Sequence, residues 1–226
     1  MKFRETLALS VLAGIFFLLA CHVSHEIKSE KQLEWPAEIY PACVRIECEV
    51  ESIWGPRPLR GSGVVIAPRR VLTAAHVIHE ATGLQICVYL RDDFHRTLPA
   101  RLLKEEEALD LALLEVDEDL PASVVVGMGA AEQLKLHAPL LHVGAMNGMN
   151  PHIRTKGEFI TRDVSESPAA AGCWLACVPS EEGASGGGLF TPDGFLIGLV
   201  VMGDRAGVTC LFVPATAIAR FLEDAE

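Results

Sequence analysis

The sequence predicts an all-β domain closed by one C-terminal helix. Short apolar runs of strand length recur between residues 42 and 213, broken by turn residues. A proline followed by alanines and a spaced apolar set occurs at 214–224 and reads as a terminal helix. Many short strands with little helix suit a barrel or a sandwich.

The chain opens with a positive head, Met1-Lys2-Phe3-Arg4, and an uncharged apolar run from 7 to 20. That run is too short to span a bilayer comfortably and reads as a signal peptide over 1–20. It ends Leu18-Leu19-Ala20-Cys21, which resembles a bacterial lipoprotein box. The resemblance implies cleavage before Cys21 and lipidation of that residue, hence a membrane partner through the lipid. The alternative is an ordinary secretory signal with an unrelated cysteine. Stable anchoring takes more than one acyl chain, which lipoprotein processing supplies. His22 stands where an aspartate would mark inner-membrane retention in enterobacteria, so the outer membrane is expected, facing the periplasm or the cell surface. Residues 21–37 are polar up to Trp35-Pro36 and read as a tether, with the domain at 38–226.

Strands are expected at 42–50, 63–67, 85–90, 98–103 and 109–116, with a segment at 71–77 after the turn Pro68-Arg69-Arg70. Lys104-Glu105-Glu106-Glu107 reads as a solvated turn. The first half ends near 117–121. The second holds Val124-Val125-Val126, a polar hook at 133–137, and strands near 140–143, 157–162, 173–178, 195–201 and 207–213.

Three segments carry candidate chemistry. In Gly183-Ala184-Ser185-Gly186-Gly187-Gly188 a serine sits among residues with free access to positive φ. Such a loop can expose a hydroxyl and turn N–H groups toward a developing oxyanion. Ser185 is the candidate nucleophile, with the amides of Gly183 and Ser185 as the oxyanion hole. His76 follows two small alanines that allow tight backbone packing. Asp110 lies within Leu109-Asp110-Leu111-Ala112-Leu113-Leu114, where a charge needs a partner. Holding the ring N–H of His76 would supply one. The chain order His, Asp, Ser is one of several that build this constellation.

Thr73-Ala74-Ala75-His76, Asp110-Leu111-Ala112-Leu113-Leu114 and Gly183-Ala184-Ser185-Gly186-Gly187 resemble the three signature segments of the chymotrypsin-like (trypsin-like) serine peptidases. Gly61-Ser62-Gly63-Val64-Val65-Ile66, Val143-Gly144-Ala145-Met146-Asn147-Gly148 and Phe195-Leu196-Ile197-Gly198-Leu199-Val200 resemble the HtrA-type branch. The resemblance spans about 38–224. It implies two six-stranded antiparallel β-barrels, at about 38–120 and 121–213, with the triad at their seam. It implies an endopeptidase acting on proteins or peptides without metal or cofactor. It also implies a substrate pocket lined by Pro179, Ser180, Glu181, Val201, Met202 and Gly203, for a small or medium apolar side chain. No PDZ domain is expected after Glu226, and the oligomeric state is not legible.

Two positions depart from the family pattern. Ala184 stands where the family has aspartate or asparagine, so a trypsin-style activation by a new N-terminus is not expected. Gly188 replaces a usual proline. The alternatives are a catalytically silent binding module on a protease fold, or a serine hydrolase acting on esters.

The net charge of −11 disfavours nucleic acid as a partner. Setting Cys21 aside from the seven cysteines leaves Cys43, Cys48, Cys87, Cys173, Cys177 and Cys210. An even set in an exported protein suggests disulfides, and strand neighbours in the family fold imply Cys173 or Cys177 joined to Cys210.

Overall fold

The first strand, β1 (Cys43–Val50), alternates from Val44 on: Val44, Ile46 and Cys48 are buried, Arg45 and Glu47 are half-buried and Glu49 is exposed. That period of two is what a strand with one wet face requires. In this computed structural model the described residues are 34–50, 55–79, 81–89, 95–148, 153–164 and 172–223. The expected signal peptide, the lipidation residue Cys21 and the tether up to residue 33 lie outside them. Among the described residues no helix is long and apolar enough to cross a membrane.

After β1 come β2 (Arg57–Ala67), β3 (Arg70–Thr73), the one-turn helix α1 (Ala75–Ile78), β4 (Thr82–Tyr89), β5 (His95–Glu106) and β6 (Leu111–Val116). Antiparallel pairing in the order β1-β2-β3-β6-β5-β4 closes them into a barrel, with β4 returning to β1. A second set follows: α2 (Met128–Glu132), β7 (Pro139–Gly144), β8 (Ile153–Thr161), β9 (Trp174–Cys177), β10 (Gly188–Phe190), β11 (Leu196–Gly203), β12 (Cys210–Pro214) and α3 (Ala215–Glu223). These strands close in the order β10-β11-β12-β9-β8-β7. The fold is two closed six-stranded antiparallel barrels and a C-terminal helix. Closure leaves neither sheet with a free edge.

The core ties the barrels together. One continuous apolar cluster runs from Val44, Val64 and Leu114 of the first barrel to Val143, Phe190 and Val213 of the second, and on to Ile218 and Phe221 of α3. Ala215, Ile218 and Phe221 are the buried face of α3, spaced three residues apart as a helix facing a core requires. Lys104 on β5 caps that helix, its Nζ donating to the Phe221 carbonyl at 2.6 Å and lying 4.6 Å from the Phe221 ring centre. Inside the second barrel, Phe159, Trp174 and Phe212 pack edge-on or tilted at 5.8–6.4 Å.

Residues 124–126 form one isolated bridge, Val126 to Leu196, and cross between the barrels, with Val124 N donating to Val65 O and Leu196 N donating to Val125 O, both at 3.0 Å. Two expectations are corrected. The acidic run at 104–107 is not all turn: Lys104, Glu105 and Glu106 extend β5. The disulfide to Cys210 is absent: Cys43, Cys48, Cys173, Cys177 and Cys210 form no disulfide bond. Cys210 stands opposite Ala176 in the ladder, so Cys177, one residue on, points to the other face. Cys173 precedes β9 and has no place in the ladder. The Cys43 thiol instead donates to Ile39 O at 3.3 Å, and burial pushes its pKa up.

His142 on β7 is wholly buried, its Nδ1 at 3.4 Å from Thr155 Oγ1. Burial lowers its pKa to about 4, outweighing the carbonyls of Ala184 and Pro179, which would raise it. The folded state therefore holds this ring neutral where the unfolded chain, at an ordinary histidine pKa, takes up a proton. Its contribution is intact above about pH 6.5 and falls as pH drops toward 4, by roughly 3 kcal/mol in all. Denaturant unfolding at pH 7 and pH 4 should show wild type losing more stability than His142→Gln by about that amount. Equal losses would contradict the assignment.

Candidate active site

The cleft between the barrels is built on three turns, one from each candidate segment. The first carries His76. Strand β3 ends at Thr73, Ala74 stays extended at φ −76 and ψ 137, and α1 begins at Ala75. Ala74, Ala75, Val77 and Ile78 are buried, while the His76 side chain is 48% exposed. Small residues let the turn pack flat and leave the His76 imidazole directed outward between buried neighbours.

Asp110 is not inside a strand as expected. A 3₁₀ turn, Glu107–Leu109, precedes it, and β6 begins one residue later. Asp110 itself is left-handed, at φ 54 and ψ 44, a conformation aspartate tolerates better than most residues. It aims both carboxylate oxygens at the His76 turn. The His76 amide donates to Oδ1 at 2.8 Å, and His76 Nδ1 meets Oδ2 at 2.7 Å. The Ala75 amide donates to the Asp110 carbonyl at 3.1 Å. A carboxylate facing Nδ1 puts the ring proton there and leaves Nε2 as the free basic nitrogen.

The third turn carries Ser185. Gly183 and Gly186 take positive φ, +89 and +83. A Cβ on Gly186 would sit 2.0 Å from the Ser62 carbonyl oxygen, so no larger residue fits. Residues Glu181 to Ala184 form a turn closed by Ala184 N donating to Glu181 O at 3.0 Å. Positive φ at its third residue is the type II arrangement. Within it the Glu182 carbonyl is taken by Asn147 N at 2.6 Å, and the Ala184 carbonyl by Gly187 N at 2.8 Å. No peptide here is cis, so N–H and C=O of each unit point opposite ways. The amides of Gly183 and Ser185 are thus turned away from those anchors, and both residues line the cleft.

That cleft, of about 640 Å³, brings together His76, Ser185 and Gly183. It also takes in Ser180, Glu181 and Gly203 from the expected pocket, but Pro179, Val201 and Met202 are not among its lining residues. Leu59, Arg60, Val77 and Glu182 line it too, as does the turn Asp204, Arg205, Ala206 and Gly207, which sequence reasoning missed. Glycines bracketing two charged residues after β11 were the available signal. Asp204 shapes that turn by accepting from Val208 N at 3.0 Å and from Thr209 N and Oγ1 at 3.2 and 2.7 Å. Burial works to raise its pKa, and these hydrogen bonds outweigh it, so the carboxyl lies below the usual aspartate value. His76 and the Ser185 hydroxyl share the cleft without a direct hydrogen bond between them among the described contacts. Catalytic hydrogen bonds are often long in ligand-free sites and tighten on substrate.

One group among the described residues has ligand atoms close enough for a cation, His79 with Glu105 and Glu107. His79, which caps the His76 turn, has Nδ1 3.3 Å from Glu105 and 3.8 Å from Glu107.

The profile of the trypsin-like peptidase domain matches residues 61–199, which include all three turns. The chain belongs to the trypsin-like peptidase family. Two curated relatives are each 30% identical over 151 residues: serine protease Rv3671c of Mycobacterium tuberculosis strain H37Rv and serine protease MT3772 of strain CDC 1551. The match covers 63% of this chain and 36% of each relative, so the chain spans about a third of their length. Among solved structures, the active form of the Rv3671c protease superposes with a TM-score of 0.68 at 23% identity, covering 88% of this chain and 92% of that one. An inactive form of the same protease gives 0.63 at 25% identity, covering 84% and 91%.

Replacing Gly186 by alanine tests how tightly the serine loop is fitted. Left-handed strain and the clash with Ser62 together should cost about 3 kcal/mol or more. Gly83→Ala, at φ +63 with no atom within 4 Å of the new methyl, should cost about 1 kcal/mol. Thermal unfolding of both variants checks the contrast; equal losses would mean the serine loop has slack.

Proposed function

We propose that the chain is a serine endopeptidase tethered to a bacterial envelope membrane. The observation that carries this reading is the Asp110–His76 pair opening onto the same cleft as Ser185. Family membership and the relatives named serine proteases support it.

The Ser185 hydroxyl attacks the carbonyl carbon of the scissile peptide, and His76 Nε2 takes its proton. Asp110 holds the tautomer and stabilises the imidazolium. The tetrahedral oxyanion is received by the amides of Gly183 and Ser185, donors worth about 3–4 kcal/mol each in comparable sites. Collapse breaks the C–N bond, and His76 returns the proton to the departing amine. Water then attacks the acyl-enzyme by the same route, releasing the acid and restoring Ser185. The substrate side chain, expected to be small or medium and apolar, would enter beside Ser180, Gly203 and Gly207. A lipid on Cys21 would hold this activity at the outer membrane, facing the periplasm or the cell surface.

A fluorophosphonate probe should label wild type at Ser185 and fail on Ser185→Ala, and wild type should cleave casein. Labelling with turnover of simple esters alone would favour an esterase, and no labelling would favour a silent binding module. For the tether, mass spectrometry of the mature protein should find an acylated N-terminal Cys21. An unmodified terminus beyond that residue would remove the anchor.

A further inference from the structure

Ser62 lies on β2 in the first barrel, yet its hydrogen bonds reach the serine loop of the second. It is 1% exposed. Its Oγ donates to the Gly183 carbonyl at 2.7 Å and accepts from the Ala145 amide at 2.7 Å. Its own amide donates to the Ser185 carbonyl at 2.8 Å. Its carbonyl accepts from Thr73 Oγ1 at 2.7 Å, three residues before His76. One residue thus ties the serine loop, the loop after β7 and the strand leading to the imidazole.

Within the loop Glu181 Oε2 accepts from Asn147 Nδ2, but position 184 supplies no polar side chain. Ala184 is buried and offers a methyl group only. The candidate oxyanion donors lie in the peptides 182–183 and 184–185, on either side of the peptide 183–184, and rotating either donor plane would remove one. Asn147 N and Gly187 N fix the carbonyls on either side, at Glu182 and Ala184. The Gly183 carbonyl between them is fixed by the Ser62 hydroxyl alone among the described hydrogen bonds. The fit is close from the opposite side too: a Cβ on Gly144 would sit 2.9 Å from Ser62 Oγ.

We infer that Ser62 is a positioning residue that holds the oxyanion-hole peptides in their working orientation, replacing a lock from position 184. The pin is made of hydrogen bonds within the folded chain, so the loop is set on folding and no cleavage step is required to set it. This inference rests on the peptidase reading. Removing the hydroxyl leaves the Gly183 carbonyl and the Ala145 amide unpaired in a buried place. The 183–184 peptide, which joins the two donor peptides, is then held among the described hydrogen bonds only by Ala184 N on Glu181 O at 3.0 Å, and a tilt of it turns both neighbours.

The test uses kcat per titrated active site, KM, and the Ki of a peptide aldehyde, whose adduct carries the oxyanion. Ser62→Ala should lower kcat about 10- to 100-fold, with KM nearly unchanged and the aldehyde Ki raised by a similar factor. Ser62→Thr, which keeps the hydroxyl, should recover most of the loss. Ser62→Cys, which keeps the volume and weakens both bonds, gives the same reading if the alanine variant does not fold. Arg162→Ala controls for stability: its guanidinium caps the Ala131, Glu132 and Leu134 carbonyls at 2.8–3.2 Å, far along the chain from the loop. It should lower the melting temperature without changing kcat. Wild-type kcat and aldehyde affinity in Ser62→Ala or Ser62→Cys would overturn the inference and leave the peptidase reading intact. A wild-type protein that neither turns over peptides nor binds the aldehyde would remove both.

Discussion

The site depends on one clamp: the Asp110 carboxylate gripping the His76 turn by both backbone and ring. Its two oxygens take the His76 amide at 2.8 Å and Nδ1 at 2.7 Å, so the imidazole is fixed in position as well as tautomer. The clamp requires Asp110 to turn left-handed at φ 54, a strain of about 1–2 kcal/mol for a residue with a Cβ. One hydrogen bond to a carboxylate contributes about 1.5–3 kcal/mol, so the amide bond alone is enough to offset it. The strain is thereby sustained at the point where β6 begins, and the strand register fixes where the carboxylate sits. In the ladder Thr73 faces Ala112, which brings the ends of β3 and β6 together and with them the two turns.

The serine loop belongs to the other barrel, so the site exists only if the barrels are held in one relative placement. The shared apolar core, the crossing segment at 124–126 and the Lys104 cap on α3 all act at that seam. The glycines of the loop act at shorter range. Positive φ at 183 and 186 turns the chain, and the missing side chain at 186 lets Ser62 approach. Apolar packing sets the gross placement, and hydrogen bonds of fixed direction set the peptide planes within it.

Much of this was legible in the sequence, because strand alternation is a local signal. Most strands of both barrels and the terminal helix show in hydrophobic pattern and turn residues. What escaped were features whose cause is not local. Gly188–Phe190 is a strand of three residues, too short to show a period, and exists because Leu199 and Val143 flank Gly188 on either side. Asp110 read as a strand residue because its neighbours are apolar, whereas its backbone is decided by what its side chain must reach. Met128–Glu132 forms a short helix that packs against the terminal one, a contact no window of sequence contains. The cysteine count suggested bridges, but pairing depends on which face each thiol takes, and Cys177 and Cys210 face apart. Of the expected pocket, Ser180, Glu181 and Gly203 reach the cleft; the glycines at 203 and 207 signal a turn, but that it joins the cleft depends on a non-local contact, Ser180 N donating to the Gly207 carbonyl at 3.2 Å.

The central claim is that Ser185, His76 and Asp110 act as one unit in the cleft. A crystal structure of the protein carrying a covalent peptidyl phosphonate tests it most directly. The account predicts phosphorus bonded to Ser185 Oγ, its negative oxygen between the amides of Gly183 and Ser185, and His76 Nε2 within about 3 Å of the serine oxygen. A phosphonate bonded elsewhere, or an imidazole still out of reach of the bonded serine, would contradict it.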